Sequence, residues 1–123
     1  SFTPVLKINS STTGITYSAR SGVYHRVGNV VTFALSMTLS SKGSSTGLVT
    51  IDMPPVSCAT GFVYPFNTVA VNVSSALGIS AAGAIGASGE MRLQIPSAGG
   101  TAAATEANIN DNTTLYISGS YLA

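Results

Sequence analysis

The sequence predicts an all-β fold, an antiparallel β-sandwich of jelly-roll-like type, in a single domain covering residues 1–123. Three observations carry that expectation. Residues 31–40 alternate without a break, with Val31, Phe33, Leu35, Met37 and Leu39 on one side and Thr32, Ala34, Ser36, Thr38 and Ser40 on the other. Successive side chains of a strand point to opposite faces, so this run is greasy on one side and wettable on the other. That is how an antiparallel layer with one solvated face reads. Turn residues also punctuate the chain at short intervals, and no stretch shows the 3.6-residue apolar period of an amphipathic helix.

The elements follow in order. Residues 5–9 form a short first strand behind Pro4, a position where proline is tolerated. Residues 12–14 turn. Residues 15–20 alternate Ile15, Tyr17 and Ala19 against Thr16, Ser18 and Arg20. Ser21-Gly22 reads as a tight turn, and residues 23–27 as the return strand of a hairpin. Gly28-Asn29 is a second turn before the long strand at 30–40. Residues 42–47 read as an exposed, flexible loop. Val49, Ile51 and Met53 alternate in a strand that Pro54-Pro55 ends. Val69, Val71 and Val73 alternate in a strand within residues 62–73, its earlier part broken by Pro65.

Residues 76–88 are rich in Ala, Gly and Ser. Alanine favours helix, but each interleaved glycine costs about 1 kcal/mol there, so the expectation is a thin strand or two. Met91, Leu93 and Ile95 mark another strand, stopped by Pro96. Residues 97–104 read as a Gly/Ala loop, and residues 106–112 as a polar turn able to hold one helical turn. Residues 113–121 form the last strand, with Leu115 and Ile117 on one face. Eight or nine short strands in one domain mean a sandwich or jelly roll.

Composition narrows the function classes. Only 7 % of the 123 residues are charged, against about 25 % in ordinary globular domains. Ser, Thr, Asn and Gly must therefore coat the surface. Such a surface has little charge repulsion to hold copies of the chain apart, which favours an oligomer. The net charge is +1, and Lys7, Arg20, Arg26, Lys42 and Arg92 are scattered. Nucleic-acid binding requires clustered cations to displace phosphate counterions, so that class is excluded. No apolar run approaches the ~18 residues of a membrane span. Residues 1–4 carry no signal-peptide pattern, and the absence of an initiating Met points to a fragment of a longer protein.

Candidate chemistry is sparse. Cys58 is the single cysteine, so no internal disulfide forms, and a small buried hydrophobe is its commoner role. A nucleophilic Cys58 would want His25 beside it. One His and one Cys cannot build a zinc site within the chain, and no cofactor is expected. A glycosidase needs two carboxylates facing each other across a sugar. The four available, Asp52, Glu90, Glu106 and Asp111, read as solvated charges, although a pair assembled between subunits stays open. No Gly-x-Ser-x-Gly elbow is present. The expectation is that the chain is not an enzyme.

Aromatic residues carry the stronger hint. Sugar recognition uses an aromatic face for stacking, with polar neighbours for the hydroxyls. Phe62, Tyr64, Phe66 and Asn67 offer that chemistry in one short segment, and Tyr24, His25 and Arg26 are a second candidate. The competing role for these rings is core or interface filling, where each buries ~150–250 Å². Lys42, at the head of the 42–47 loop, is a candidate for touching a receptor.

The residues 15–31, Ile-Thr-Tyr-Ser-Ala-Arg-Ser-Gly-Val-Tyr-His-Arg-Val-Gly-Asn-Val-Val, are followed by Ser40-Ser41-Lys42-Gly43-Ser44-Ser45-Thr46-Gly47. Together they resemble the C-terminal β-structured domain at the distal end of bacteriophage tail fibres and tailspikes. Ile117-Ser118-Gly119-Ser120-Tyr121 is similar to how those proteins finish. The resemblance is firm over residues 14–53 and the last few, and it carries no catalytic motif. It implies a parallel homotrimer at the distal end of a tail fibre or tailspike in the virion, made in the host cytoplasm. It implies that the domain locks three chains in register and contributes to binding a host-cell surface polysaccharide, such as capsule or lipopolysaccharide. A purely structural trimerisation cap without ligand, and a depolymerase whose carboxylates meet between subunits, are the alternatives.

Overall fold

A computed structural model describes residues 1–59, 61–75, 78–83 and 89–123. Nine strands are present among them: β1 (Leu6–Ile8), β2 (Ile15–Val27), β3 (Val30–Lys42), β4 (Val49–Asp52), β5 (Tyr64–Val73), β6 (Ser80–Gly83), β7 (Glu90–Ser97), β8 (Gly100–Ala103) and β9 (Ile109–Leu122). A single 3₁₀ turn, Glu106–Asn108, precedes β9. Every pairing is antiparallel, in the order β1-β4-β7-β6-β5-β9-β3-β2, with β8 also on β7. The all-β antiparallel expectation holds, and the two layers are parts of one continuous sheet.

β5 joins the layers. Its first residues pair with β6 (Tyr64↔Gly83, Phe66↔Ala81), and from Asn67 onward it pairs with β9 (Asn67↔Ser118, Val71↔Thr114). The layer β2-β3-β9-β5 thus lies against the layer β1-β4-β7-β6 over one core. That core takes Val31, Phe33, Leu35, Met37 and Leu39 from β3, Leu115, Ile117 and Tyr121 from β9, and Leu6, Ile8, Ile51, Met91 and Leu93 from the opposite layer. The alternation in residues 31–40 therefore sorts as its sequence implies.

Several local expectations are corrected. Ser21-Gly22 is no turn. Residues 15–27 run as one strand paired with β3 along its whole length, with bulges near Tyr17. Gly22 is needed for contact: a Cβ there would lie 2.7 Å from the Phe2 ring, which packs on that spot. The turn at Gly28-Asn29 is real, with Gly28 at φ 59° closing a two-residue hairpin. Pro65 and Pro96 interrupt nothing. β5 continues through Pro65 at the point where it changes partner, and β7 passes Pro96 into a hairpin with β8. Residues 100–103, expected as loop, are that hairpin's second strand. The thin strand expected within 76–88 is β6; Ala76, Leu77 and residues 84–88 lie outside the described residues.

Val69 and Val71 of β5 face away from the core, while Val73, beyond a bulge, packs against it. Phe66 is only 6 % exposed and packs edge-on against Phe33 with ring centroids 4.8 Å apart. It also lies over Gly119, where a Cβ would come within 2.5 Å of it. With Phe66 turned inward, the period of two turns Val69 and Val71 outward, and both are exposed. A bulge at Asn72, φ 61°, then breaks the register before Val73. Asn110 Nδ2 and Thr113 Oγ1 each donate to Asn72 O at 2.8 Å, which fixes the bulge.

Candidate functional site

The alternation of strands scatters the candidate glycan residues. In the Phe62–Asn67 segment three rings form a graded series from solvent to core. Phe62 is 63 % exposed. Its centroid lies 6.4 Å from Tyr64, which is half-buried and donates through its hydroxyl to Ala59 O at 3.2 Å. Tyr64 stands 6.3 Å from Tyr121, and Tyr121 stands 6.3 Å from Phe66. Phe66 is therefore core, as rings commonly are. Phe62, with the exposed Val63 beside it, is the part of this segment available to a ligand. Asn67 points to the outer face of its layer.

The second candidate triplet splits across the sheet. Tyr24 is half-buried beneath Phe2, with centroids 5.9 Å apart in a T-shaped contact. Arg26 Nε donates to Gly28 O at 2.9 Å and so braces the β2–β3 turn. His25 faces the opposite way, exposed on the outer face in line with Thr32 and Ser120. Cys58 sits in the core, so the structure does not bring it to the outward-facing His25. Burial pushes the Cys58 thiol up from its usual range.

Lys42 is a structural anchor. Its ammonium donates to Glu106 O and Ile109 O, both at 2.9 Å, and its backbone N–H donates to Asp111 Oδ1 at 3.0 Å. It sits at the end of β3 away from Val30, about 40 Å along the strand. Lys42 and the Phe62 tip do not form one site, since Ala59 and Leu122 join their backbones near the Val30 end.

The outer face of the β2-β3-β9-β5 layer carries what the sequence reading missed. Four cross-strand rows are set by register: Val23–Ala34–Ser118–Asn67, Ser21–Ser36–Tyr116–Val69, Ala19–Thr38–Thr114–Val71, and His25–Thr32–Ser120. The small residues Ala34, Ser36 and Ser118 floor an open trough of about 700 Å³, walled by Val23, Val69 and Tyr116. The signal that could have located it was Tyr116 and Val69 at positions of opposite parity to Ile117 and Phe66.

Two of the four carboxylates meet on the other layer. Asp52 and Glu90 are register partners on β4 and β7, on the outer face of the other layer. Lys7 Nζ lies 3.1 Å from Asp52 Oδ1. Thr50 Oγ1 and Arg92 Nε, one row away, are buried without a hydrogen-bond partner among the described residues.

No protein-family model and no curated protein matches the sequence. A solved structure does match in fold: the crystal structure of the Dettilon tailspike protein (gp208), with a TM-score of 0.81 and 21 % sequence identity. The superposition covers 98 % of this chain and 22 % of the tailspike chain. Almost the whole of this fold is thus similar to about a fifth of a phage tailspike chain.

Proposed function

We propose that this chain is the distal domain of a phage tail fibre or tailspike, where it joins three copies in register and contributes to binding a host-cell surface glycan. The observation that carries the reading is the near-complete overlap of its fold with part of a tailspike. The low charge supports association of like copies. For the glycan, Phe62 offers an exposed ring beside the equally exposed Val63. A single such contact is weak, and three copies on one fibre tip would gain by avidity. The reading places the protein at the tip of the virion tail after synthesis in the host cytoplasm, with no role for nucleic acid or membrane insertion.

The test is binding of the purified chain to host cells and to an array of capsule and lipopolysaccharide glycans. Binding that Phe62→Ala lowers at least tenfold supports the reading. A silent array, with assembly intact, leaves the structural cap without ligand.

We propose further that the domain is not an enzyme. The rival depolymerase has one specific observation behind it, the juxtaposition of Asp52 and Glu90 across β4 and β7, with Cβ atoms of such cross-strand neighbours ~5 Å apart. Against it, Asp52 is held by Lys7. Release of reducing ends from host polysaccharide, abolished by Asp52→Asn or Glu90→Gln, would overturn the non-enzymatic reading.

A further inference from the structure

Ten large hydrophobic side chains are exposed among the described residues, and seven of them lie on one surface. Val23, Val27, Val30, Val69, Val71, Tyr116 and Leu122 all point outward from the β2-β3-β9-β5 layer. Their parity is fixed by buried neighbours: Val31, Phe66, Leu115, Ile117 and Tyr121 face the core, so the residues beside them face out. Val69 is 59 % and Tyr116 52 % exposed.

Apart from the titratable His25, the same surface carries no charged side chain. Lys7, Asp52, Glu90 and Arg92 lie on β1, β4 and β7 of the other layer. Arg20 turns to Pro4 O and the Tyr17 ring, and Arg26 to Gly28 O. Lys42, Glu106 and Asp111 cluster at the far end around the 3₁₀ turn. None of the nine Asp, Glu, Lys and Arg residues of the chain stands in the outward-facing rows between Val71 and Leu122.

We propose that the outer face of the β2-β3-β9-β5 layer is the surface against which a second copy of this chain packs. The inference deepens the trimer reading above and rests on it. Soluble chains seldom leave so many large apolar side chains on one continuous face unless something covers them. Three rows four strands wide, with the three-strand rows His25–Thr32–Ser120 and Val27–Val30–Leu122 beyond them, cover about 500 Å² in projection before side-chain relief is counted. That is the scale of the ~800 Å² each partner gives to a standard interface. A charged partner would find only His25 to pair with here, and burying its remaining charge unpaired would be costly. A second copy brings an equally neutral surface. The trough floored by Ala34, Ser36 and Ser118 provides relief into which a neighbour's side chains can seat.

The experiment is light scattering on the wild-type chain and on two variants at micromolar concentration. The Ala34→Lys/Val69→Lys double variant places two charges on the face. Leu48→Lys places one at an exposed apolar position outside it. The expected result is a wild type near three times 12.4 kDa, a double variant at the single-chain mass with unchanged far-ultraviolet circular dichroism, and Leu48→Lys like wild type. A trimer that survives the double substitution overturns the assignment of this face while leaving the trimer standing. A monomeric wild type overturns the trimer reading and this inference with it. If the double variant does not fold, nitration of Tyr116 in the wild type decides: shielding in the assembly is expected, and modification at the rate of an open tyrosine overturns the inference. Shielding of Tyr116 only by added neutral oligosaccharide also overturns it, and makes the trough a ligand site.

Discussion

At Gly119 the absence of a side chain is what lets the aromatic core close. A Cβ there would stand 2.5 Å from Phe66 Cδ1 and also press on Cγ and Cβ, the base of a ring held by Phe33 and Tyr121. Gly22 also lacks room, but its obstruction is the far edge of the half-exposed Phe2 ring. Gly119→Ala should therefore cost about 1–3 kcal/mol of stability, as overpacked cores do, and Gly22→Ala clearly less because Phe2 can swing away. Urea unfolding of both variants checks the ranking; equal losses would contradict it. Tyr121 adds a pH dependence. Burial, then proximity to Cys58 and Tyr24, pushes its phenol from 10.0 up to about 12, and its hydroxyl donates to Val56 O at 2.5 Å. The folded state favours the neutral phenol, so this contribution is complete below pH ~10 and is lost as pH rises through ~12. Stability measured across that window should fall with it, and phenolate absorbance should show one tyrosine titrating late.

Among the elements, β3 shows how far pattern alone can reach. Its alternation of bulky apolar and small polar residues names its inner face without any knowledge of neighbours. β2 defeats the same reasoning, because Gly22 looks like a turn until Phe2, twenty positions upstream, is seen lying on it. β8 is invisible for another reason: Gly-Thr-Ala-Ala has no bulk to alternate. In β5 the valines were legible but their direction was not, since Phe66 decides it through contacts with β3 and β9. The candidate site was hidden by the same ambiguity. Phe62 was legible as one ring of a candidate segment but not as its exposed member; Tyr116 was overshadowed by Leu115 and Ile117 on either side. Lys42 was legible as a cation but not as a clamp between the end of β3 and the 3₁₀ turn. Lys42→Met should cost about 1.5–3 kcal/mol, the scale of hydrogen bonds from a charged donor, and should leave glycan binding unchanged. Lost binding at full stability would return Lys42 to the receptor-facing role.

For the whole molecule, the shortage of charge sets the response to salt. Lys7–Asp52 is the single ion pair among the described residues, and both side chains are about a third exposed. Surface pairs of this kind contribute at most about 1 kcal/mol. Stability, and association through the outer face of the β2-β3-β9-β5 layer, should therefore change little as sodium chloride rises, and association should tighten slightly in excluded salts such as sulfate, as apolar burial does. Dissociation of the assembly by moderate sodium chloride would contradict an interface without ions.

The partner exchange in β5 has a mechanical corollary. One strand is stitched into both layers, through Tyr64 to Phe66 on one side and Asn67 onward on the other. Peeling either layer away tears the ladder that seats the same strand in its opposite, so neither can come loose while the other survives. Pulled or heated, such a body should yield in one step, holding its shape until it gives way altogether.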